Sequence, residues 1–133
     1  MKRSSGLLLA LPLLVVLALF LAPPIQAEER VKLTGDEIKE ILFTRGKVIF
    51  GVDHVNDTVW IGTALGDGKR HIYWRSHIYM TTGELTGTAR IVNDQQCAVG
   101  YAQDRCFDIY RVGSDKYESW SGETLFSTWY RAN

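Results

Sequence analysis

Eight short runs of strand-forming residues follow Gly46, and their regular succession limits the possible folds more than any other feature of the chain. The runs are Lys47–Val52, Thr58–Leu65, His71–Met80, Glu84–Val92, Gln96–Tyr101, Cys106–Val112, Tyr117–Ser121 and Thr124–Arg131. Turn residues separate them: Asn56-Asp57, Gly66-Asp67-Gly68, Thr82-Gly83, Asn93-Asp94, Gly113-Ser114-Asp115 and Gly122. Such residues take up positive φ or bond to their own backbone, so they reverse a chain cheaply. Short strands at this spacing predict a sandwich or barrel of antiparallel hairpins. No second helical pattern alternates with them, which argues against a βαβ sheet. We therefore expect an all-β domain, a small antiparallel meander barrel or strongly curved sheet, with one short N-terminal helix.

That helix is predicted over about Gly35 to Thr44. Thr34 and Glu37 form a capping box, in which each side chain serves the other's backbone N–H. Leu33 and Ile38 suit a hydrophobic staple across the cap. Ile38, Ile41 and Leu42 share one face at helical spacing, and Gly46 suits the far end. A short amphipathic helix in a β protein has an obvious task, which is to cover an open end or edge of the sheet.

The segment before the domain has a different character. Lys2 and Arg3 precede 17 consecutive apolar residues, Gly6 to Ala22, and Ala27 offers a small residue for cleavage. This is the layout of a secretory signal peptide over residues 1–27. The alternative is an uncleaved membrane anchor, because the run is close to the length of a spanning helix. Residues 28–133 then form a single domain. Removing Lys2 and Arg3 from the 15 basic residues leaves 13 against 15 acidic ones, a net charge of −2. Nucleic-acid binding needs a basic excess that is absent here. We expect a location outside the cytosol, with membrane contact only if the leader is retained.

Cys97 and Cys106 are the only cysteines, so one intramolecular pairing exists. Eight residues lie between them. A hairpin of that length brings the Cα atoms into bonding range. The pattern suits a structural disulfide, worth about 2.7 kcal/mol by loop closure. A redox site favours a tighter C-x-x-C, and zinc needs more ligands.

The most regular strand supplies the candidate site. Along His71–Met80, Ile72, Trp74, Ser76, Ile78 and Met80 fall on one face, and His71, Tyr73, Arg75, His77 and Tyr79 on the other. The first reads as core. The second reads as a solvated outer wall in an open sheet, or as the lining of a cup if the barrel faces the other way. Should there be a cup, Tyr73, Arg75, His77 and Tyr79 are the ligand-binding candidates, since they converge on one face. Of four tryptophans, Trp120 suits a core position, and the strand carrying Trp129 has apolar residues on both faces, so burial on both sides is expected for it.

No constellation announces catalysis or a metal. His71 and His77 stand roughly 20 Å apart on an extended strand, at about 3.3 Å per residue. His54 would have to be recruited through folding. No G-x-S-x-G elbow is present, and Gly66-x-Gly68 reads as a turn. Asn56-Asp57-Thr58 matches a glycosylation acceptor.

The stretch Gly87-Thr88-Ala89-Arg90-Ile91-Val92, then Cys97, Cys106-Phe107-Asp108-Ile109-Tyr110-Arg111-Val112-Gly113, Tyr117 and Trp120, resembles small exported bacterial domains of unknown function. In that family a signal peptide and a short LTxxEI helix, here Leu33-Thr34-Gly35-Asp36-Glu37-Ile38, precede a lipocalin-like meander. The resemblance implies a bacterial envelope location and a small barrel. It carries over no catalytic residue and no cofactor.

The function expected from the chain is non-catalytic binding of a small apolar or amphipathic ligand. The first alternative is an envelope protein-interaction module, such as an enzyme inhibitor or accessory subunit. A contiguous solvent-facing patch containing Trp60 or Tyr130 would favour it. The second is a small hydrolase or isomerase, which needs a histidine and a carboxylate within hydrogen-bond reach inside a pocket.

Overall fold

The computed structural model describes residues 29–99 and 105–132. The predicted leader, and the end of the strand expected to reach Tyr101, lie outside them. Among the described residues, nine strands and one helix form in the order β1 (Val31–Lys32), α1 (Gly35–Leu42), β2 (Val48–Asp53), β3 (Thr58–Gly66), β4 (Lys69–Ser76), β5 (Thr81–Val92), β6 (Gln95–Val99), β7 (Arg105–Arg111), β8 (Lys116–Ser121) and β9 (Thr124–Arg131).

From β2 to β9 each strand pairs antiparallel with the next, and β9 returns to pair with β2. The result is a closed, eight-stranded, up-and-down barrel, so the all-β meander expected from the sequence is what forms. Closure removes the free sheet edges that invite aggregation. The seam needs Gly51. A Cβ there would stand 2.6 Å from both the Thr128 carbonyl oxygen and the Trp129 Cβ, so only glycine lets β9 come this close. Outside the ring, β1 borrows the far half of the β7 edge that β6 leaves free: β6 pairs with Arg105–Phe107, and β1 with Tyr110 and Arg111.

The turns follow from local chemistry. Between β5 and β6, Asn93 and Asp94 both take positive φ, the conformation of a type I′ hairpin. Asp94 does a second task by accepting the Gly35 N–H at 2.6 Å, which ties the helix start to the barrel rim. The capping box of Thr34 and Glu37 forms as expected. Gly46 is not the helix stop, however. Phe43 is the C-cap, and Gly46, at φ +82°, instead bonds back to the Ala64 carbonyl.

Helix α1 closes one end of the barrel. Its buried Ile38, Ile41 and Leu42, with Leu33 before the cap, pack on the inward residues Ile49, Phe107, Ile109, Tyr117 and Trp129. Tyr117 and Trp129 stack with ring centroids 4.4 Å apart, and the Trp129 indole N–H donates to the buried Ser119 hydroxyl at 2.9 Å. Arg70 also points inward, and its guanidinium donates to the Leu42 carbonyl at the end of the helix. Cationic side chains are favoured at that end of a helix.

The cysteines are joined as expected, and they face each other across β6 and β7 with Cα atoms 4.0 Å apart. Their register with Arg90, opposite the inward pair Gln96 and Phe107, puts the disulfide on the outer wall. Two other expectations change. Trp120 is an outer-wall residue, paired with Asp108 and half-buried, because its strand's inward residues are Tyr117 and Ser119. In β9 Trp129 is buried while Tyr130 is exposed, so that strand is covered on one side only.

Candidate functional site

Alternation along β2, β3, β4 and β9 assigns one side chain in two to the outside. On most of the barrel these outward residues are polar or covered. On four adjacent strands one outward row is neither. Tyr130 of β9 stands opposite Phe50 of β2, Phe50 opposite Ile61 of β3, and Ile61 opposite Tyr73 of β4. The register makes one continuous row around the wall, ending at Glu84 of β5. The four hydrophobic members remain 39, 44, 46 and 55% exposed in that order. Phe50 and Tyr130 stack with centroids 5.6 Å apart. In the next row towards the end opposite the helix lie Val52, the exposed Val59 and Arg75.

An open depression of about 600 Å³ lies within this wall. Val59, Ile61, Tyr73, Arg75, Thr82 and Glu84 surround it. Arg75 is exposed and makes no hydrogen bond or ion pair with the described residues. Glu84 lies 3.4 Å from the Nε2 of His71, near enough for an ion pair once the ring is protonated but not aligned as a hydrogen bond. The other ring nitrogen of His71 meets the Thr86 hydroxyl at 3.1 Å. This histidine–carboxylate approach sits on the open wall, not inside an enclosed pocket.

The opposite wall shows what a covered aromatic surface looks like in this protein. Tyr110 and Trp120 also point outwards there, but the Arg30 guanidinium lies over both rings, at 4.4 and 4.0 Å from their centroids. The Trp120 indole donates to Glu118 at 2.8 Å. Lys32 reaches Asp108 at 2.8 Å, a bond that raises the lysine's pKa and lowers the aspartate's. The strap before the helix thus seals the β7–β8 wall, whereas no described residue covers the β9–β2–β3–β4 wall in the same way.

The four residues expected to share one face divide into two groups. Tyr73 and Arg75 lie on the outer face of β4 and border the depression together. His77 and Tyr79 do not belong to β4, which ends at Ser76. They occupy the β4–β5 turn, where the His77 N–H donates to the Asp57 carbonyl and the Tyr79 N–H to the Ser76 hydroxyl. Ile78 and Met80, expected in the core, are 58 and 76% exposed in that turn. The inward face of β4 carries Arg70, Ile72, Trp74 and Ser76, so the Tyr73–Arg75 face is the outer wall. Phe50, Ile61 and Tyr130 complete the surface and were not singled out as a group from sequence.

One titratable group inside the barrel departs from its ordinary state. Asp53 faces inwards at the end opposite the helix, in register with Thr58 and Ser127. Burial pushes its carboxyl up to about 6, against the pull of the Arg105 charge. Among the described residues, no set of three histidine, cysteine or carboxylate side chains gathers as a metal site. No helix among them is long and apolar enough to cross a membrane. No protein-family model, no curated protein and no solved structure matches this chain.

Proposed function

We propose that this protein is a non-catalytic docking module that works outside the cytosol and binds a macromolecule on the outer wall formed by β9, β2, β3 and β4. One observation carries the reading: Tyr130, Phe50, Ile61 and Tyr73 form an exposed, in-register row across four strands. Contiguous exposed apolar surface of this kind marks interaction sites. A Cys97–Cys106 disulfide supports an oxidising location, as does the leader-like start of the chain.

The small-ligand reading keeps one supporting feature, Arg75, which has no partner among the described residues, beside an apolar depression. Small-molecule sites, however, enclose about 70–90% of a ligand's surface. A depression on the outside of a barrel leaves one side of any small molecule in water. That difference favours a large partner, whose own surface supplies the missing cover.

A photo-crosslinking residue at Ile61 tests this in the organism's own exported fraction, with the same group at Glu123 as the control. A discrete protein adduct at Ile61 alone, lost on Phe50→Lys, is expected. Adducts of small-molecule mass at Ile61, or indistinguishable products at both positions, would count against docking.

A further inference from the structure

We infer that the partner this wall fits is a second copy of the same chain, in a weak, reversible, two-fold dimer. The inference rests on reading the wall as a docking surface, and charge placement selects the occupant. Arg75 and Glu84 are the two charged residues beside Tyr73, at diagonal positions across β4 and β5. Arg75 has no described partner, and the Glu84 side chain is 61% exposed. The pair is self-complementary. A two-fold axis lying in the plane of contact, between these residues and across the line joining them, brings each Arg75 over the Glu84 of the other copy. Isologous contacts of this kind present one patch to itself.

The same axis passes close to Tyr73 and Ile61, so these side chains meet their own counterparts. Like against like is unfavourable for charges but well suited to rings and aliphatic groups. A net charge of −2 over residues 28–133 puts little general repulsion between two copies.

Size sets the strength. From β9 to β5 the row spans four inter-strand gaps, about 19 Å at the usual spacing of roughly 4.8 Å. On a convex barrel wall this falls short of the roughly 800 Å² per partner of a standard stable interface. The dimer is therefore expected to dissociate with a Kd on the order of 10 µM to 1 mM.

Sedimentation velocity of the purified protein over a concentration series tests the proposal. Wild type should pass from monomer towards dimer as concentration rises, and Ile61→Lys should stay monomeric. Arg75→Glu alone and Glu84→Arg alone should each weaken association about tenfold or more. An equimolar mixture of those two variants should recover it, because the mixed dimer restores both ion pairs. All three positions lie on the outer wall, and circular dichroism verifies that each variant keeps the fold. A wild type monomeric at about 1 mM, association indifferent to Ile61→Lys, or a mixture no better than its components would each overturn the second-copy assignment. Should the wild type be monomeric while the Ile61 crosslinker captures a different protein, the docking reading stands and only the self-association fails. Absence of both results removes both.

Discussion

Asp53 shows how a single inward residue can be tolerated at a cost. The inside of this barrel is mostly rings, aliphatic groups and hydroxyls, and a carboxylate there has lost part of its hydration. Its folded pKa of about 6 lies above the ordinary 3.8. Below pH 3.8 both folded and unfolded chains hold the proton, and Asp53 has no effect on stability. Between 3.8 and 6 the folded chain keeps a proton that the unfolded chain has shed, so stability falls as pH rises. Above 6 the penalty is complete. Glu37 and Asp108, held low by bonds from Thr34 and Lys32, act in the opposite sense: their stabilisation is present above the ordinary carboxylate range and is lost as pH falls through their folded values. We expect Asp53→Asn to raise stability at pH 7 by about 1–2 kcal/mol, a figure reduced for the residue's partial contact with water. Urea midpoints at pH 4, 5, 6 and 7 check this. The gap between variant and wild type should open with pH, and a gap of the same size throughout would mean that the carboxyl titrates normally.

The elements differ in how much of their arrangement local sequence controls. Helix α1 was legible because its signals lie within four residues of one another: Thr34 accepts from the Glu37 N–H, and the Glu37 carboxylate accepts from the Thr34 N–H at 2.8 Å. Thr34→Ala should cost about 1 kcal/mol, seen as a lower thermal midpoint with the barrel's far-ultraviolet spectrum unchanged; an unshifted midpoint would show that Asp94 alone holds the helix start. The number of barrel strands was equally legible, since Asn93-Asp94 or Asp67-Gly68 reverses a chain whatever surrounds it, whereas the two-residue β1 lies outside the eight expected runs. The end of β4 was not. Residues 77–80 read His-Ile-Tyr-Met, with no glycine, proline or asparagine, yet Met80 takes φ 51° and turns the chain. Alternation carried through that stretch gave His77 and Tyr79 a strand face they do not have. Which face of a strand points inwards was harder still. Alternation separated Trp120 from Ser119 correctly, but only pairing with Ile109 shows that Ser119 is the inward one. The candidate surface has the same limit: Tyr73 and Arg75 were visible on one strand, whereas their alignment with Phe50 and Tyr130 depends on register between segments far apart in the chain.

At the scale of the whole molecule, the barrel is a ring with a single long-range joint. Every pair from β2–β3 to β8–β9 joins neighbours in sequence, and only β2–β9 joins the two ends of the series. Local pairings form with small loop-closure cost, and the joint comes with a large one. Deleting residues 124–131 should leave β2 and β8 each with an unpaired edge. The expected outcome is loss of cooperative unfolding together with concentration-dependent aggregation, followed by light scattering and urea titration. A soluble, cooperatively unfolding product would show that the seven remaining strands close without β9. The joint also has a consequence for biosynthesis. Of the barrel strands a ribosome releases β2 first and β9 last, so β2 waits with one row of backbone groups open while the strands between them are made, and the ring closes only when β9 emerges.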